Sequence, residues 1–254
     1  MTATVSIEYG EGQFVDVEVV DGVGKATISG LAANSYLAIA RFDGDGIHDA
    51  AFKSGSFVVK QMGTRIVCVN MTTTAINTTE DGRIGEYFYW TLVDEKGNPL
   101  GGKPVSIGFN ANVYNRITKD DGTAKLQINL QSSGTYTFAI HFDGDENYTG
   151  AFEVAKIVVN KQKPKLTASS VTYKASASTK TLTATLKTKA GNPIVGRTVK
   201  FTVNNKTYSA KTDENGVAKV NVSLNKAGSY SVLIASNEYN TYASVNKTIT
   251  LKLT

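Results

Sequence analysis

Cysteine is almost missing. Cys68 is the single one in 254 residues, so no disulfide can form within the chain. The folded units must hold together by packing. That leaves an exterior setting open, because a domain of about 95 residues buries enough surface unaided. Cys68 lies in the apolar run Ile66-Val67-Cys68-Val69, where a buried, inert thiol is expected rather than a nucleophile. Histidine is as scarce: His48 and His141 are too few and too scattered for a zinc site. There is no Gly-x-Ser-x-Gly elbow and no phosphate-cradling glycine loop ending in Lys-Ser/Thr, so catalysis is not expected. No apolar run is long enough to span a membrane. No secretory signal pattern follows Met1, so an exported protein would carry its targeting segments elsewhere. Only four prolines occur, and no stretch sustains a 3.6-residue apolar period. The β-branched and polar bias predicts strands and tight turns.

What is present is a segment that recurs three times. Gly24-Lys25-Ala26-Thr27-Ile28-Ser29-Gly30-Leu31 leads to Asn34-Ser35-Tyr36. Gly122-Thr123-Ala124-Lys125-Leu126-Gln127-Ile128-Asn129-Leu130 leads to Gly134-Thr135-Tyr136. Gly216-Val217-Ala218-Lys219-Val220-Asn221-Val222-Ser223-Leu224 leads to Gly228-Ser229-Tyr230. A period of about 95–100 residues is the size of one immunoglobulin-like sandwich. The expected fold is therefore all-β: tandem immunoglobulin-like sandwiches, the first incomplete or smaller. The expected units are residues 1–60, 61–161 and 162–254. Short junctions, Lys60-Gln61-Met62-Gly63 and Asn160 to Pro164, leave little slack, so the units should stand end to end.

The third unit shows the pattern best. Leu166 to Tyr173 reads as a first strand. Leu182, Ala184 and Leu186, then Val199, Phe201 and Val203, alternate inward. Turns are expected at Ala190-Gly191-Asn192-Pro193, at Asn204-Asn205 and at Asp213-Glu214-Asn215-Gly216. The second unit superimposes at an offset of 94, with Phe88, Trp90 and Leu92 on the first trio and Gly97-Asn98-Pro99 on Gly191-Asn192-Pro193. Trp90 is read as a core filler. The first unit follows the second at an offset of 100: Val5-Ser6-Ile7 falls on Val105-Ser106-Ile107 and Tyr36 on Tyr136. Nothing in it matches Thr64 to Gly101. Truncation of a longer array, strand donation by a neighbour, or a smaller complete sheet would each account for that. Leu31, Leu130 and Leu224 precede a Tyr by five or six residues, the arrangement of a tyrosine that bonds back to the preceding turn.

Gly-Asn-Pro-[Leu/Ile]-x-Gly-[Lys/Arg], then Asp-x-[Asp/Asn]-Gly-x-Ala, then Leu followed by Gly-[Ser/Thr]-Tyr together resemble bacterial Ig-like domains. The resemblance is strongest to the invasin/intimin group and the adhesin-like surface proteins of methanogenic archaea. It covers residues 64–254 well and residues 1–60 in part. It implies extracellular, cell-surface display, a spacer or stalk role, and adhesion. It transfers no binding residue, because the motifs are turn and corner signatures.

Candidate sites are few. Asp43, Asp45 and Asp49 in one loop, and Asp143, Asp145 and Glu146 in its counterpart, supply clustered oxygens of the kind calcium takes. A tight Asp-Gly-Asp turn is the competing reading. Tyr239 and Tyr242 are the candidate binding aromatics, suited to stacking on a sugar or to packing at a junction. Asn70, Asn77, Asn147, Asn205, Asn221 and Asn246 begin glycosylation sequons. Lys165 or Lys174 with Asn246 are conceivable isopeptide partners.

Charge is uneven. Residues 1–60 carry a net −4, residues 61–160 a net −3, and residues 161–254 a net +12. A basic domain favours anionic polymers, although a solvated lysine-rich surface has the same composition. The functional expectation is a non-enzymatic adhesin fragment acting as stalk and adhesion module. It would be monomeric and would meet wall polysaccharide or a host or partner-cell surface, with neither nucleic acid nor membrane insertion. A filament or tail subunit completed by strands from another protomer, and a carbohydrate-binding module, are the alternatives.

Overall fold

The computed structural model describes residues 3–82 and 84–254. The first unit is one antiparallel sheet. Its strands are β1 (Ala3–Tyr9), β2 (Phe14–Val19), β3 (Asn34–Phe42) and β4 (Ala51–Val59), in the order β2-β1-β3-β4.

The second unit runs β5 (Thr64–Cys68), β6 (Met71–Thr74), the short helix α1 (Thr78–Asp81), β7 (Tyr87–Asp94), β8 (Pro104–Phe109), β9 (Asn112–Ile117), β10 (Thr123–Gln127), β11 (Gly134–Phe142) and β12 (Ala151–Asn160). A sheet ordered β10-β7-β5 faces one ordered β6-β12-β11-β8-β9. The third unit repeats this. Its strands are β13 (Lys165–Thr167), β14 (Val171–Tyr173), β15 (Thr181–Lys187), β16 (Thr198–Val203), β17 (Lys206–Lys211), β18 (Val217–Asn221), β19 (Gly228–Ser236) and β20 (Val245–Leu253). Here β13-β15-β18 faces β14-β20-β19-β16-β17. The second and third units are the expected tandem all-β sandwiches, and the first, expected to be incomplete or smaller, is a single sheet.

Alternation puts one face of every strand into a core. In the second unit Phe88, Trp90 and Leu92 of β7 meet Val105, Ile107, Phe138, Ile140 and Ile157 of the opposite sheet, all buried. In the third, Leu182, Ala184 and Leu186 meet Val199, Phe201, Val203, Val232 and Leu251. Trp90 is 1 % exposed, as its core reading requires, and its Nε1–H has no hydrogen-bond partner among the described residues.

Leu166 to Tyr173, expected as one strand, is two. Residues 165–167 pair antiparallel with β15, and residues 171–173 cross over to run parallel to β20. The same switch separates β5 from β6. Changing sheets lets one segment close both edges of a sandwich, which a straight strand could not do.

The expected turns are present. Asn204 and Asn205 take φ of 48° and 61° in a two-residue hairpin, the left-handed pair that matches strand twist. Gly122 and Gly216 sit where a Cβ would strike the carbonyl oxygen of Leu92 or Leu186, at φ of 72° and 75°. That approach lets the Gly122 and Gly216 carbonyls accept the amides of Leu92 and Leu186, at 2.9 and 2.8 Å.

Candidate functional site at the junction between sandwiches

The two full units meet through α1. Asn77 caps it, its side chain accepting from the amides of Thr79 and Glu80, and Gly82 ends it in the left-handed region. The helix therefore presents Glu80 and Asp81 at a fixed place on the pole of the second unit. Asp81 is 2 % exposed. Its Oδ2 accepts from Gln162 Nε2 at 2.6 Å and from the Asn77 amide at 3.0 Å. Its carbonyl accepts from Asn192 Nδ2 at 2.7 Å. Asn192 belongs to the Gly-Asn-Pro turn of the third unit.

Glu80 faces the same unit. Tyr242 donates its hydroxyl to Glu80 Oε2 at 2.8 Å, and the Arg197 guanidinium stands 3.9 Å from Oε1. Arg197 also lies over the Tyr239 ring, 3.7 Å from its centre. Burial, reinforced by the Glu80 carboxylate, pushes the Tyr242 hydroxyl far above the ordinary phenol range, so it stays a donor. Gln162, in the linker, is itself stitched down: its amide donates to Thr241 and its carbonyl accepts from Ala243, both at 2.7 Å. Lys161 adds an ion pair to Glu238 at 3.1 Å. The linker is thus bridged at Gln162 to the loop between β19 and β20.

Of the two candidate tyrosines, Tyr242 is 3 % exposed and engaged with Glu80, so its ring is closed to a sugar. Tyr239 is half-exposed, but one face is covered by Arg197. The junction reading describes Tyr242, whereas Tyr239 packs on Arg197 of its own unit.

The acidic loops do not gather a cation cage. Among the described residues no three His, Cys, Asp or Glu side chains come together in a way that could hold a metal ion. Asp43, Asp49, Asp143 and Glu146 are exposed. Asp45 Oδ1 accepts from the amides of Ile47 and His48, and the His48 ring lies 3.0 Å from Oδ2. Those bonds, the His48 ring first, lower its pKa to about 2. Asp145 caps Asn147 and Tyr148 in the same way and binds Lys103 at 2.6 Å. Burial opposes ionisation of Asp145, but the Lys103 bond and the amides outweigh it and its pKa falls. Asp45 and Asp145 are thus occupied in building turns.

The Asp145 loop lies against the linker from the first unit. Met62 donates to the Asn147 carbonyl and accepts from Thr149, at 2.9 and 3.0 Å. Met62 therefore does for the second unit what Gln162 does for the third. Lys165, Lys174 and Asn246 are all exposed, so no buried isopeptide pair is built. Cys68 is only partly buried, and that burial raises its thiol pKa, which disfavours the thiolate.

Sequence reasoning missed α1 and its two acids. The signal was Asn77 followed three residues later by Glu80, a helix-start pattern read only as a sequon. It also passed over a groove of about 360 Å³ on the outer face of β7 and β10, where Tyr87 and Tyr89 lie among Arg116, Lys119 and Lys125.

Residues 163–250 match the family model described as bacterial Ig-like domain (group 1). The inverse autotransporter adhesin YeeJ of Escherichia coli (strain K12) is 26% identical over 231 residues, which is 82% of this chain and 9% of YeeJ. The chain thus spans less than a tenth of that relative. Among solved structures, invasin, a bacterial integrin-binding protein, is similar over 75% of this chain and 39% of its own, at 18% identity and a TM-score of 0.42. A bacterial ice-binding adhesin is similar over 100% of this chain and 87% of its own, at 14% identity and a TM-score of 0.35.

Proposed function

We propose that this chain, whose third unit is a bacterial Ig-like domain of group 1 and whose relatives include an inverse autotransporter adhesin, is a length of adhesin stalk displayed outside the cell. The role is mechanical and spatial. Each sandwich keeps its own core, and neighbours touch only at their poles. The observation that carries this reading is the α1 clamp. Hydrogen bonds from Gln162, Asn192 and Tyr242 converge on two consecutive residues, Glu80 and Asp81, across the junction. A flexible tether needs none of them; a spacer that must keep its direction does.

The basic third unit suits an anionic wall polymer as its neighbour, and a host or partner-cell surface is the fitting target for the whole adhesin. Pulling the chain from its two ends by force microscopy tests the mechanical role. Two unfolding events of similar length, one for each full sandwich, are expected. A smooth extension without such events would contradict it.

A second reading, carbohydrate binding, is favoured by the groove at Tyr87 and Tyr89. The two residues are 37% and 55% exposed, and Lys125 Nζ lies over the Tyr87 ring, 4.0 Å from its centre. Aromatic faces beside cations fit an acidic saccharide. A glycan array with the intact chain and with Tyr87→Ala and Tyr89→Ala variants tests it: retention on acidic glycans should be lost in the variants. Equal signals, or none from the intact chain, would remove this reading.

A further inference from the structure

We propose that the open face of the first sheet is a docking surface for a strand–helix–strand segment of the β5–α1–β7 kind, supplied by the same polypeptide ahead of β1. The proposal is independent of the stalk reading, because it rests on how the first sheet pairs.

The first sheet is the larger sheet of the second unit without its partner. Their strand orders correspond, β2-β1-β3-β4 against β9-β8-β11-β12. The registers correspond too. Ile7 faces Ala40 as Ile107 faces Ile140, and Asn34 faces Val59 as Gly134 faces Val159. In the second unit the inner face is sealed by β10-β7-β5, which leaves Ile107 and Ile157 0 % exposed. The equivalent residues Ile7 and Phe57 are only half-buried, and Val17 alone among the described apolar residues of the first unit is fully buried.

The recurring segment supplies a second, separate observation. Its copies at β10 and β18 each pair with one strand, β7 or β15. The copy at 24–31 has no strand partner and no regular structure, although its sequence follows the others. A β7-like strand is the element it lacks. The missing strand should carry large inward side chains, because β3 offers Ala38 and Ala40 where β11 offers Phe138 and Ile140.

The pole of the second unit is a third observation. On the third unit, Asn192, Arg197 and Tyr242 receive α1. Their counterparts on the second unit are Asn98, Lys103 and Tyr148. Asn98 turns back to Asp94 at 2.8 Å, and Lys103 binds Asp145 and lies over the Tyr148 ring. No helix approaches them, since α1 is the only helix among the described residues. A segment of the β5–α1–β7 kind would fill the open face and bring an α1-like cap to this pole in one stroke.

The test compares the chain as it stands with one in which a second copy of residues 64–102 is joined directly ahead of Ala3. Amide hydrogen exchange is followed at residues 24–28, and sedimentation gives the oligomeric state. Exchange at 24–28 should be fast in the unmodified chain and slow by about tenfold or more in the extended one, both as monomers. Trp90→Asp within the added copy should restore fast exchange. Should the extended chain prove insoluble, residues 64–102 added as a free peptide should give the same slowing. Slow exchange at 24–28 in the unmodified monomer would overturn the proposal, because the sheet would then be closed by itself. A dimer of the unmodified chain with those amides protected would assign the face to a second copy. Unchanged exchange on extension and with peptide would also overturn it.

Discussion

Single residues carry the repeat. Tyr36, Tyr136 and Tyr230 each donate a hydroxyl to the carbonyl four positions back, on Ala32, Ser132 and Lys226, at 2.7–2.8 Å. This latch was legible in the sequence because Leu and Gly-Tyr recur at fixed spacing. Its removal by Tyr230→Phe should lower the stability of the third unit by about 0.5–1.5 kcal/mol in urea titration, the worth of one hydrogen bond. The Trp90→Ala change leaves a cavity in a sealed core and should cost about 3–5 kcal/mol in the second unit. The turn aspartates answer to pH. Asp45 has its pKa lowered from 3.8 to about 2 by the His48 ring and the amides it caps. A depressed carboxylate stabilises the fold above its unfolded pKa, and the effect fades as pH falls through the folded value. The Ile47 and His48 amide resonances should therefore shift as pH is lowered from about 4 to about 2.

At the scale of elements, the junction is where the account is most exposed. Asp81→Ala would leave the buried Gln162 Nε2 and the Asn77 amide without an acceptor, at about 1–3 kcal/mol. Its effect should be seen as independent tumbling of the second and third units in NMR relaxation, with the cores of both intact. Tyr242→Phe should loosen the junction less, because Arg197 remains beside Glu80. Strands and turns were legible because inward alternation and left-handed turns impose residue types: Leu182-x-Ala184-x-Leu186, Asn204-Asn205, Gly216. The junction was not. A helix of four residues has no period to read, and Asp81 becomes a junction acid only when the fold brings Gln162 and Asn192 to it, 81 and 111 positions later. The acidic loops read two ways for a related reason. Asp-Gly-Asp supplies cation ligands or caps a turn with the same letters, and only the direction of Asp45 and Asp145 decides. The split of Leu166–Tyr173 was invisible because both halves have strand-like composition, and the crossing depends on two sheet edges that each need covering.

For the whole molecule, the resemblance to bacterial Ig-like domains drawn from the turn motifs is borne out by the family match over residues 163–250. Charge is the other molecular property. The net +12 of residues 161–254 should hold the chain on an anionic polysaccharide matrix at low salt and release it as salt rises and the screening length shortens to about 8 Å at 0.15 M. The central claim is that the sandwiches stand end to end, held in direction by their clamped junctions. Small-angle X-ray scattering of the intact chain measures this most directly. A compact globule of 254 residues would have a radius of gyration of about 18 Å. The account predicts a value well above that, with an elongated distance distribution. A value near the globular one, or a distribution broadened by freely swinging units, would contradict it.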